Sequence, residues 1–448
     1  MDGEQLTAFS RIESTPAPPP VVNAPKVDPL VDDLWPLPLP EFSVARLRGW
    51  SEQTLHSQFT GDVLRDNAVL NKWEFAQGIT VLKSYPWRLS VPFVLCNAQC
   101  EFCAAWTIKG NIPLDNLMTA LIPVIRRCYQ LDLVGWGEPL VHPQFASILE
   151  ILKREAGPRA RLALTTNGTR LTDWIERLLD ANVMEYAVSI HAANTTTHQD
   201  LMGLGPQDFD RVTRAVRQLT AKKAEFPQLH VTLVLVVTRQ NLAEIPAFIE
   251  MSKQLGADQV HLRTLMPMDS PREGLDYHRL PPYRHPEFER LRDDALAAIA
   301  GARLRVKADP ATWAKPLFPP EWEARLDSLP LTPRHGRIQY RMSEIDWDSL
   351  GAGEASDMPE PCHIGGNPYL RSAPLYCPSP YTAFYVNGTD RRVIPCVYMH
   401  KVPGHEFIHF KPAMSFAEVW NSPAMIAVRR SLYHGPLMPM CLKCPFYC

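Results

Sequence analysis

Between residues 88 and 265 the sequence alternates short apolar runs with segments of helical spacing, and this alternation constrains the fold more than any other feature. The apolar runs show little polar alternation, as expected of parallel strands covered on both faces. Right-handed crossovers between such strands yield an α/β barrel. Because a closed barrel of this kind has eight strands, six strands predict a partial, TIM-like (β/α)6 barrel. The six predicted strands are 88–95, 131–135, 161–166, 184–190, 230–237 and 259–265.

Outside this region, differences in amino-acid composition divide the chain into further segments. Residues 1–40 contain nine Pro and predict a disordered tail, which serves as a spacer or as a partner-binding segment. Residues 41–88 form an N-terminal extension that suggests no function of its own. We assign 89–310 to the barrel core and 311–360, which is rich in Pro and charge, to a linker. Residues 361–448 hold six of the ten Cys and predict a second, Cys-rich module.

Charge and hydropathy exclude several functions. The net charge is -2, so no overall basic field indicates nucleic acid or anionic lipid. No apolar run approaches the ~20 residues of a membrane span, and the first residues lack the order of a secretory signal. We therefore expect a cytoplasmic protein with no membrane or nucleic-acid partner. In that compartment ten Cys indicate metal or redox chemistry before disulfides.

Three cysteines follow the first predicted strand with the spacing C-x3-C-x2-C: Cys96, Cys100 and Cys103. Active sites of parallel α/β barrels lie in the loops after the carboxyl ends of strands. Three thiolates can bind three irons of a [4Fe–4S] cluster and leave the fourth iron open. A zinc site with a missing fourth ligand and three unrelated thiols are the alternatives.

This segment resembles the CxxxCxxC motif of the radical S-adenosylmethionine (SAM) family, which has an aromatic residue before the last Cys. Phe102 stands at that position. The resemblance implies that the open iron binds the amino and carboxylate groups of SAM. It also implies that an electron from the cluster splits SAM and that the resulting 5′-deoxyadenosyl radical abstracts a hydrogen atom from the substrate.

The end of the second strand resembles the GGEP motif of the same family through Gly137, Glu138 and Pro139, with Trp136 in place of a Gly. Glycine lets the backbone approach a ligand closely. The resemblance implies that Glu138 accepts a hydrogen bond from the SAM amino group. Taken alone, the segment also fits a turn whose carboxylate begins a helix.

Two further strand ends resemble SAM-contacting segments. Asn167 lies in a Thr-Asn-Gly segment after the third strand, and Ser189 ends the fourth strand, where it could equally cap the next helix. The family often has an Arg shortly before a Gly in the following segment, but Met202 stands here. The resemblance covers about residues 85–270.

The C-terminal module contains a second possible cluster site. Residues 381–396 read as a β-hairpin turning at Asn387-Gly388, residues 414–432 read as a helix, and a C-x2-C pair follows. The arrangement resembles the SPASM and twitch auxiliary-cluster modules of radical SAM enzymes. The implied cluster ligands are Cys377, Cys396, Cys441 and Cys444.

The cysteine count favours one auxiliary [4Fe–4S] cluster, because two would need eight ligands and the region holds six Cys. Cys362 and Cys448 are then surplus, and a zinc ribbon is the alternative. Cys128 lies among apolar residues and is predicted to be a buried structural thiol.

The resemblance implies a radical SAM enzyme that uses SAM, its cluster and one auxiliary cluster, with an external electron donor such as flavodoxin or ferredoxin. We expect oxidation or epimerisation of a small molecule such as a carbohydrate or aminocyclitol. The alternatives are maturation of a ribosomally made peptide and a non-catalytic iron–sulfur electron carrier or sensor. No catalytic acid, base or hydrogen donor can be identified from the sequence.

Overall fold

The computed structural model describes part of the chain, and the geometry below concerns that part. The described residues are 42–103, 114–135, 137–265, 281–313, 331–334, 337–340, 377, 379–386, 391–396, 405–411, 413–434 and 438.

Nine strands form one mixed sheet in the spatial order β11-β10-β1-β2-β3-β4-β5-β6-β7. Strands β1 to β7 run parallel to one another, β10 runs parallel to β1, and β11 pairs antiparallel with β10. The edge strands β7 and β11 do not pair with each other, so the sheet is open. The nine strands are β1 (Arg88–Phe93), β2 (Gln130–Gly135), β3 (Arg161–Thr166), β4 (Val183–Ser189), β5 (His230–Val236), β6 (Gln259–Arg263), β7 (Arg305–Ala308), β10 (Ala383–Val386) and β11 (Val393–Ile394).

This architecture confirms the predicted α/β class and the partial barrel, since the six predicted strands are β1 to β6. The sheet extends further at both edges. At one edge lies β7, and at the other lies the hairpin of β10 and β11, which joins the barrel sheet through β1. The predicted turn of that hairpin, Asn387-Gly388, lies outside the described residues. A separate antiparallel pair consists of β8 (Leu331–Arg334) and β9 (Arg337–Tyr340).

Helices connect the strands. Between β1 and β2, two short helices are divided at Leu121, and the second has Pro123 in its first turn. The described α-helices are α1 (Val44–Arg48), α2 (Glu52–His56), α3 (Val63–Ala76), α4 (Asp115–Ala120), α5 (Ile122–Ile125), α6 (Phe145–Glu155), α7 (Ile175–Asp180), α8 (Thr195–Met202), α9 (Asp208–Ala221), α10 (Ile245–Gln254), α11 (Phe288–Gly301), α12 (Ser379–Thr382), α13 (Phe416–Trp420) and α14 (Pro423–His434). None of the helices in these ranges combines the length and the apolar character that a membrane crossing needs.

The two faces of the sheet differ in polarity. In β6, Val260 and Leu262 are fully buried in the hydrophobic core. Because side chains alternate along a strand, Gln259, His261 and Arg263 point to the opposite, inner face of the sheet. The inner face is therefore the polar side of the partial barrel, and it is the side on which a ligand can meet charged groups.

The N-terminal extension and the C-terminal helices contact each other directly. From α3, the Asn71 side chain donates to Ser84 Oγ and to the carbonyl of Tyr381, both at 2.8 Å. The Trp420 indole donates to the carbonyl of Ser84 at 3.1 Å. Residues 42–88, for which the sequence suggested no function, thus support the C-terminal segment against the sheet.

One buried charge belongs to this contact. Arg429 in α14 is fully buried and donates to the carbonyls of Pro380 (2.9 Å) and Thr80 (3.1 Å) and to Asn421 Oδ1 (3.1 Å). Its guanidinium lies 4.4 Å from the ring centroid of Trp420. Burial lowers the pKa of Arg429 to about 9, which still leaves it charged at neutral pH.

Candidate functional site

The three cysteines of the first motif lie in one loop at the carboxyl end of β1, where the sequence predicted them. We call residues 94–103 the cysteine loop. Cys96, Cys100 and Cys103 are each half-buried and carry thiols rather than disulfides. The Ala98 N–H donates to Cys96 Sγ at 3.4 Å, while burial raises the pKa of the Cys96 thiol to about 11. Iron binding would displace that proton, since the thiolate is the metal ligand.

The end of α8 holds one side of the cysteine loop through the backbone. The N–H groups of Gln99 and Glu101 donate to the carbonyls of Met202 and Leu201, both at 2.8 Å. Gly203 ends α8 with φ +59°, and a Cβ there would lie 2.8 Å from the Gln99 carbonyl oxygen. Only glycine therefore fits this junction without strain.

Met202, which replaces the expected arginine, is almost fully buried with Ala98 and Leu204. Cys96 and Cys100 pack against this apolar cluster. At this position the chain thus supplies an apolar wall beside two of the thiols instead of a cation.

The Thr-Asn-Gly segment holds the other side of the cysteine loop through side chains. Asn97 donates to Thr169 Oγ1 at 2.9 Å and accepts from Asn167 Nδ2 at 2.8 Å. The Asn167 Oδ1 atom accepts from the hydroxyl and the N–H of Thr169. The predicted site residue Asn167 therefore links the first and third motifs.

Glu138 joins the second motif to the third. It is buried and accepts hydrogen bonds from Thr166 Oγ1 (2.7 Å), from the Asn167 N–H (2.5 Å) and from the Leu140 N–H (3.1 Å). Burial raises its pKa to about 7, although these hydrogen bonds oppose the rise. The bond from the Leu140 N–H caps the short 3₁₀ helix Pro139–Val141. The alternative that this carboxylate begins a helix is therefore correct for one of its three hydrogen bonds.

The backbone of the Gly-Glu-Pro segment lies against the cysteine loop. The Gly137 N–H donates to the carbonyl of Phe93 (2.9 Å) and the Glu138 N–H to that of Leu95 (2.7 Å). A Cβ at position 137 would lie 2.2 Å from the Leu95 oxygen. The close approach of these two segments therefore requires glycine at this position.

Phe102 contacts a residue that sequence reasoning missed. Its ring meets the His191 ring edge to face, with centroids 4.9 Å apart. His191 is buried, has φ +60°, and accepts the Val236 N–H at Nδ1 (3.0 Å). Burial is the main reason that its pKa falls to about 3, so the imidazole is neutral. The sequence could have indicated His191 as a site residue, because it lies directly after a strand end, two residues beyond Ser189.

Ser189 ends β4 half-buried on the inner face. Within the described ranges its hydroxyl makes no hydrogen bond to protein, and the cap of the next helix is Asn194 instead. The helix-cap alternative for Ser189 is therefore wrong, and its hydroxyl remains available to a ligand.

The second cysteine group is described in part. Cys377 and Cys396 are half-buried thiols, and both pack against one apolar cluster that includes Ile394 and Val428. Cys441 and Cys444 lie outside the described residues. Cys128 is fully buried and its thiol donates to the carbonyl of Pro86 at 3.2 Å, as expected of a structural thiol.

The cysteine loop carries the donor set of a [4Fe–4S] cluster, three thiols in one loop. Among the side chains that the structure describes, no three from Cys, His, Asp and Glu converge on one metal ion. The ligands of a [4Fe–4S] cluster bind separate irons and stand further apart than the ligands of one ion. Three thiols with an apolar wall on one side and a close backbone approach on the other are suited to a cluster with one open iron.

Comparison with known sequences supports this interpretation. Residues 90–252 match the radical SAM superfamily. The AdoMet-dependent heme synthase of Methanosarcina barkeri is 32% identical over 178 residues, which are 38% of this chain and 48% of that protein. A probable GTP 3′,8-cyclase of Saccharolobus islandicus is 30% identical over 177 residues, which are 39% of this chain and 55% of that protein. The chain thus spans about half the length of these curated relatives.

Solved structures share the fold over a longer range. The crystal structure of Streptococcus suis SuiB aligns with a TM-score of 0.51 at 14% identity, over 85% of this chain and 76% of that one. SuiB bound to the precursor peptide SuiA aligns with a TM-score of 0.50 at 15% identity, over 81% of this chain and 71% of that one. The family match begins in β1 and ends in α10 and includes all the motifs that meet at the cysteine loop, so residues 90–252 form a radical SAM domain.

Proposed function

We propose that the chain is a radical SAM enzyme that abstracts a hydrogen atom from a small-molecule substrate. When bound, the [4Fe–4S] cluster and SAM supply the electron and the 5′-deoxyadenosyl radical that this chemistry needs, because no side chain provides them. One observation carries the proposal. Hydrogen bonds join the cysteine loop, Glu138 and Asn167, so three segments that resemble family motifs form one site at the ends of adjacent strands.

The chain's own residues have distinct roles in this proposal. Cys96, Cys100 and Cys103 hold the cluster. Glu138 has both oxygens fixed by protein donors and accepts the SAM amino group at a remaining lone pair. The Ser189 hydroxyl offers a donor or an acceptor on the inner face.

For the substrate we propose a carbohydrate or aminocyclitol that is oxidised or epimerised, with an auxiliary [4Fe–4S] cluster at Cys377, Cys396, Cys441 and Cys444. An external donor such as flavodoxin or ferredoxin supplies the electron. Maturation of a ribosomally made peptide is the second candidate. It is favoured by the fold that the chain shares with SuiB, one structure of which holds a precursor peptide.

The basic experiment is formation of 5′-deoxyadenosine. The anaerobically reconstituted full chain, given SAM and a chemical reductant, should release 5′-deoxyadenosine, which chromatography detects. Deuterated sugars and deuterated peptides then separate the two substrate candidates, because the true substrate transfers deuterium into 5′-deoxyadenosine. Iron-loaded protein that binds an electron yet forms no 5′-deoxyadenosine would leave a non-catalytic electron carrier as the better function.

Glu138 provides a prediction about SAM binding. Glu138→Gln should lower SAM affinity at least tenfold while iron content stays near that of the wild type, since a hydrogen bond to a charged group contributes about 1.5–3 kcal/mol. Calorimetric titration of reconstituted protein measures the SAM affinity, and iron analysis of the same sample measures the iron content. The matched control is Thr166→Val, which removes a hydroxyl donor to Glu138 but keeps the carboxylate, and it should weaken SAM binding far less. Equal affinity in Glu138→Gln and wild type would limit this residue to capping the Pro139–Val141 helix.

The auxiliary cysteines provide a prediction about turnover. Cys441→Ala/Cys444→Ala should lose about four irons and form no product, yet still cleave SAM, since a [4Fe–4S] cluster is held by four Cys. Iron analysis and 5′-deoxyadenosine assays on the same preparation test this. About twelve irons in wild-type protein would show that Cys362 and Cys448 help to bind a further cluster. Tightly bound zinc in place of this iron would make the module structural.

A further inference from the structure

The start of α8 is held by one carboxylate from a neighbouring loop. Glu244, directly before α10, accepts hydrogen bonds from the Ala193 N–H at 2.7 Å and from Asn194 Nδ2 at 2.8 Å. It also accepts from the Thr197 hydroxyl in the first turn of α8. Asn194 uses its other amide atom, Oδ1, to cap α8 at the Thr197 N–H. Glu244 therefore fixes both the residue that caps this helix and its first turn.

The end of α8 holds the cysteine loop, so this short helix lies between Glu244 and the three thiols. The carbonyl of Met202 accepts from the Gln99 N–H of that loop. The carbonyl of Leu201 accepts from the Glu101 N–H. The helix has eight residues and is about 12 Å long. Because a regular helix is a rigid element that carries a displacement from one end to the other, a change at the start of α8 reaches the cysteine loop.

The turn after β5, residues 238–244, supports the cysteine loop by two further routes. Gln240 Nε2 donates to Glu101 Oε2 in that loop at 3.0 Å. Asn241 is fully buried and donates to the carbonyl of His191 at 2.8 Å, and the His191 ring contacts an aromatic ring of the cysteine loop. Side chains of this turn therefore reach the cysteine loop directly, through a ring contact and through α8.

A carboxylate is the group that this position needs. Three donors converge on its two oxygens, because Oε2 accepts from Ala193 and Oε1 accepts from both Asn194 and Thr197. An ionised carboxylate only accepts, whereas an amide would turn an N–H₂ donor toward one of these groups. Hydrogen bonds to an ionised acceptor are also the stronger ones. Glu244 thus holds the start of α8 more firmly than a neutral side chain would.

We propose that Glu244 is a positioning residue of the SAM site. By holding the start of α8, it keeps the cysteine loop in the arrangement in which Cys96, Cys100 and Cys103 leave one iron open to SAM. Its described hydrogen bonds go to α8 and to the two residues before it, so it acts through the helix and not by contact with the cluster. This assignment rests on the proposed function and adds a residue that lies outside the segments resembling family motifs.

The first test measures the cysteine loop itself. Hydrogen exchange of the full chain before iron is added, followed by mass spectrometry, reports the protection of the Gln99 and Glu101 N–H groups. Glu244→Ala should speed their exchange at least tenfold, since three charge-assisted hydrogen bonds are lost and exchange follows local opening. Glu250→Ala is the matched control, because Glu250 lies exposed on α10. Its cysteine loop should exchange as that of the wild type does.

Thr197→Val separates a specific link from a general loss of fold. It removes one of the three donors to Glu244 and keeps the shape of the side chain, so it should speed exchange less than Glu244→Ala. Added to Glu244→Ala, it should cause no further increase, because the bond that it removes is already absent. Fully additive effects would show that the two residues act independently and would overturn the link.

The second test measures SAM binding by the reconstituted full chain. Glu244→Ala should keep an iron content near that of the wild type, because the three cysteines remain, but bind SAM at least tenfold more weakly in calorimetric titration. The electron paramagnetic resonance spectrum of its reduced cluster should change less on addition of SAM than the wild-type spectrum does. Glu250→Ala should match the wild type in both measurements.

Two results would overturn the assignment: wild-type exchange in Glu244→Ala, or faster exchange with wild-type SAM affinity. Failure of the proposed function is distinguishable, because wild-type protein would then release no 5′-deoxyadenosine, whatever the exchange experiment shows. Release of 5′-deoxyadenosine by the wild type together with either overturning result would remove this assignment and leave the proposed function intact.

Discussion

Replacing Cys96, Cys100 and Cys103 together with alanine should remove about four irons per chain and all reductive cleavage of SAM. The expected iron loss follows from one [4Fe–4S] cluster in the cysteine loop. The loss of cleavage follows because SAM is proposed to bind the open iron of this cluster, which the variant lacks. Iron analysis, the low-temperature electron paramagnetic resonance spectrum and a 5′-deoxyadenosine assay on the same preparation measure both effects.

Cys128→Ala is the matched control for this variant. Cys128 is fully buried and bonds to a backbone carbonyl away from the cysteine loop, so its removal should leave iron and cleavage near wild-type values. The triple variant should also keep about four irons on the auxiliary cysteines. Reductive cleavage of SAM by the triple variant would refute the assignment of the cysteine loop.

Arg429→Ala should lower the free energy of unfolding by about 3–5 kcal/mol. The variant removes the Arg429 donor from the carbonyls of Pro380 and Thr80, whereas Asn421 Oδ1 still accepts from the Leu82 N–H. Each unpaired buried group costs about 1–3 kcal/mol. Denaturant unfolding followed by tryptophan fluorescence suits this change, because Trp420 stacks on the guanidinium.

The neighbouring Arg430 is an internal control, because it is exposed in the same helix. Arg430→Ala should change the free energy of unfolding by no more than about 0.5 kcal/mol, as surface substitutions usually do. Similar unfolding midpoints for the two variants would show that the contact between the N-terminal extension and α14 contributes little to stability.

The sequence predicted the parts of this fold that depend on local pattern. Strands β1 to β6 carry apolar residues that the sheet buries, and these residues marked the strands in the sequence. The expectation that both faces are covered alike was wrong, because burial alternates along β3 and β6 and the inner face is the less buried one. The positions of the cysteine loop and Glu138 followed from the rule that barrel sites lie after strand ends. The fold was predictable because each of these strands carries its own signal.

The remaining features depend on contacts between distant segments. Strand β7 has alternating exposed and half-buried residues and no apolar run, so nothing local marked it. The backbone hydrogen bonds from Gln99 and Glu101 to the end of α8 could not be predicted, because backbone hydrogen bonds do not depend on residue type. The burial of Arg429 also could not be predicted, because its partners come from residues 80 and 380, far from it in sequence.

The pairing of β10 with β1 has a consequence for how the chain reaches its native state. Residue 88 comes into register with residue 383, so one edge of the first strand stays uncovered until most of the polypeptide has left the ribosome. Pairing of two segments so far apart in the sequence slows folding, because the chain loses conformational entropy before the pairing gains stabilising contacts. An uncovered strand edge can also pair with another chain. We therefore expect truncation before residue 383 to yield aggregating protein, with the exposed edge of the strand that carries the cysteine loop as the point of association.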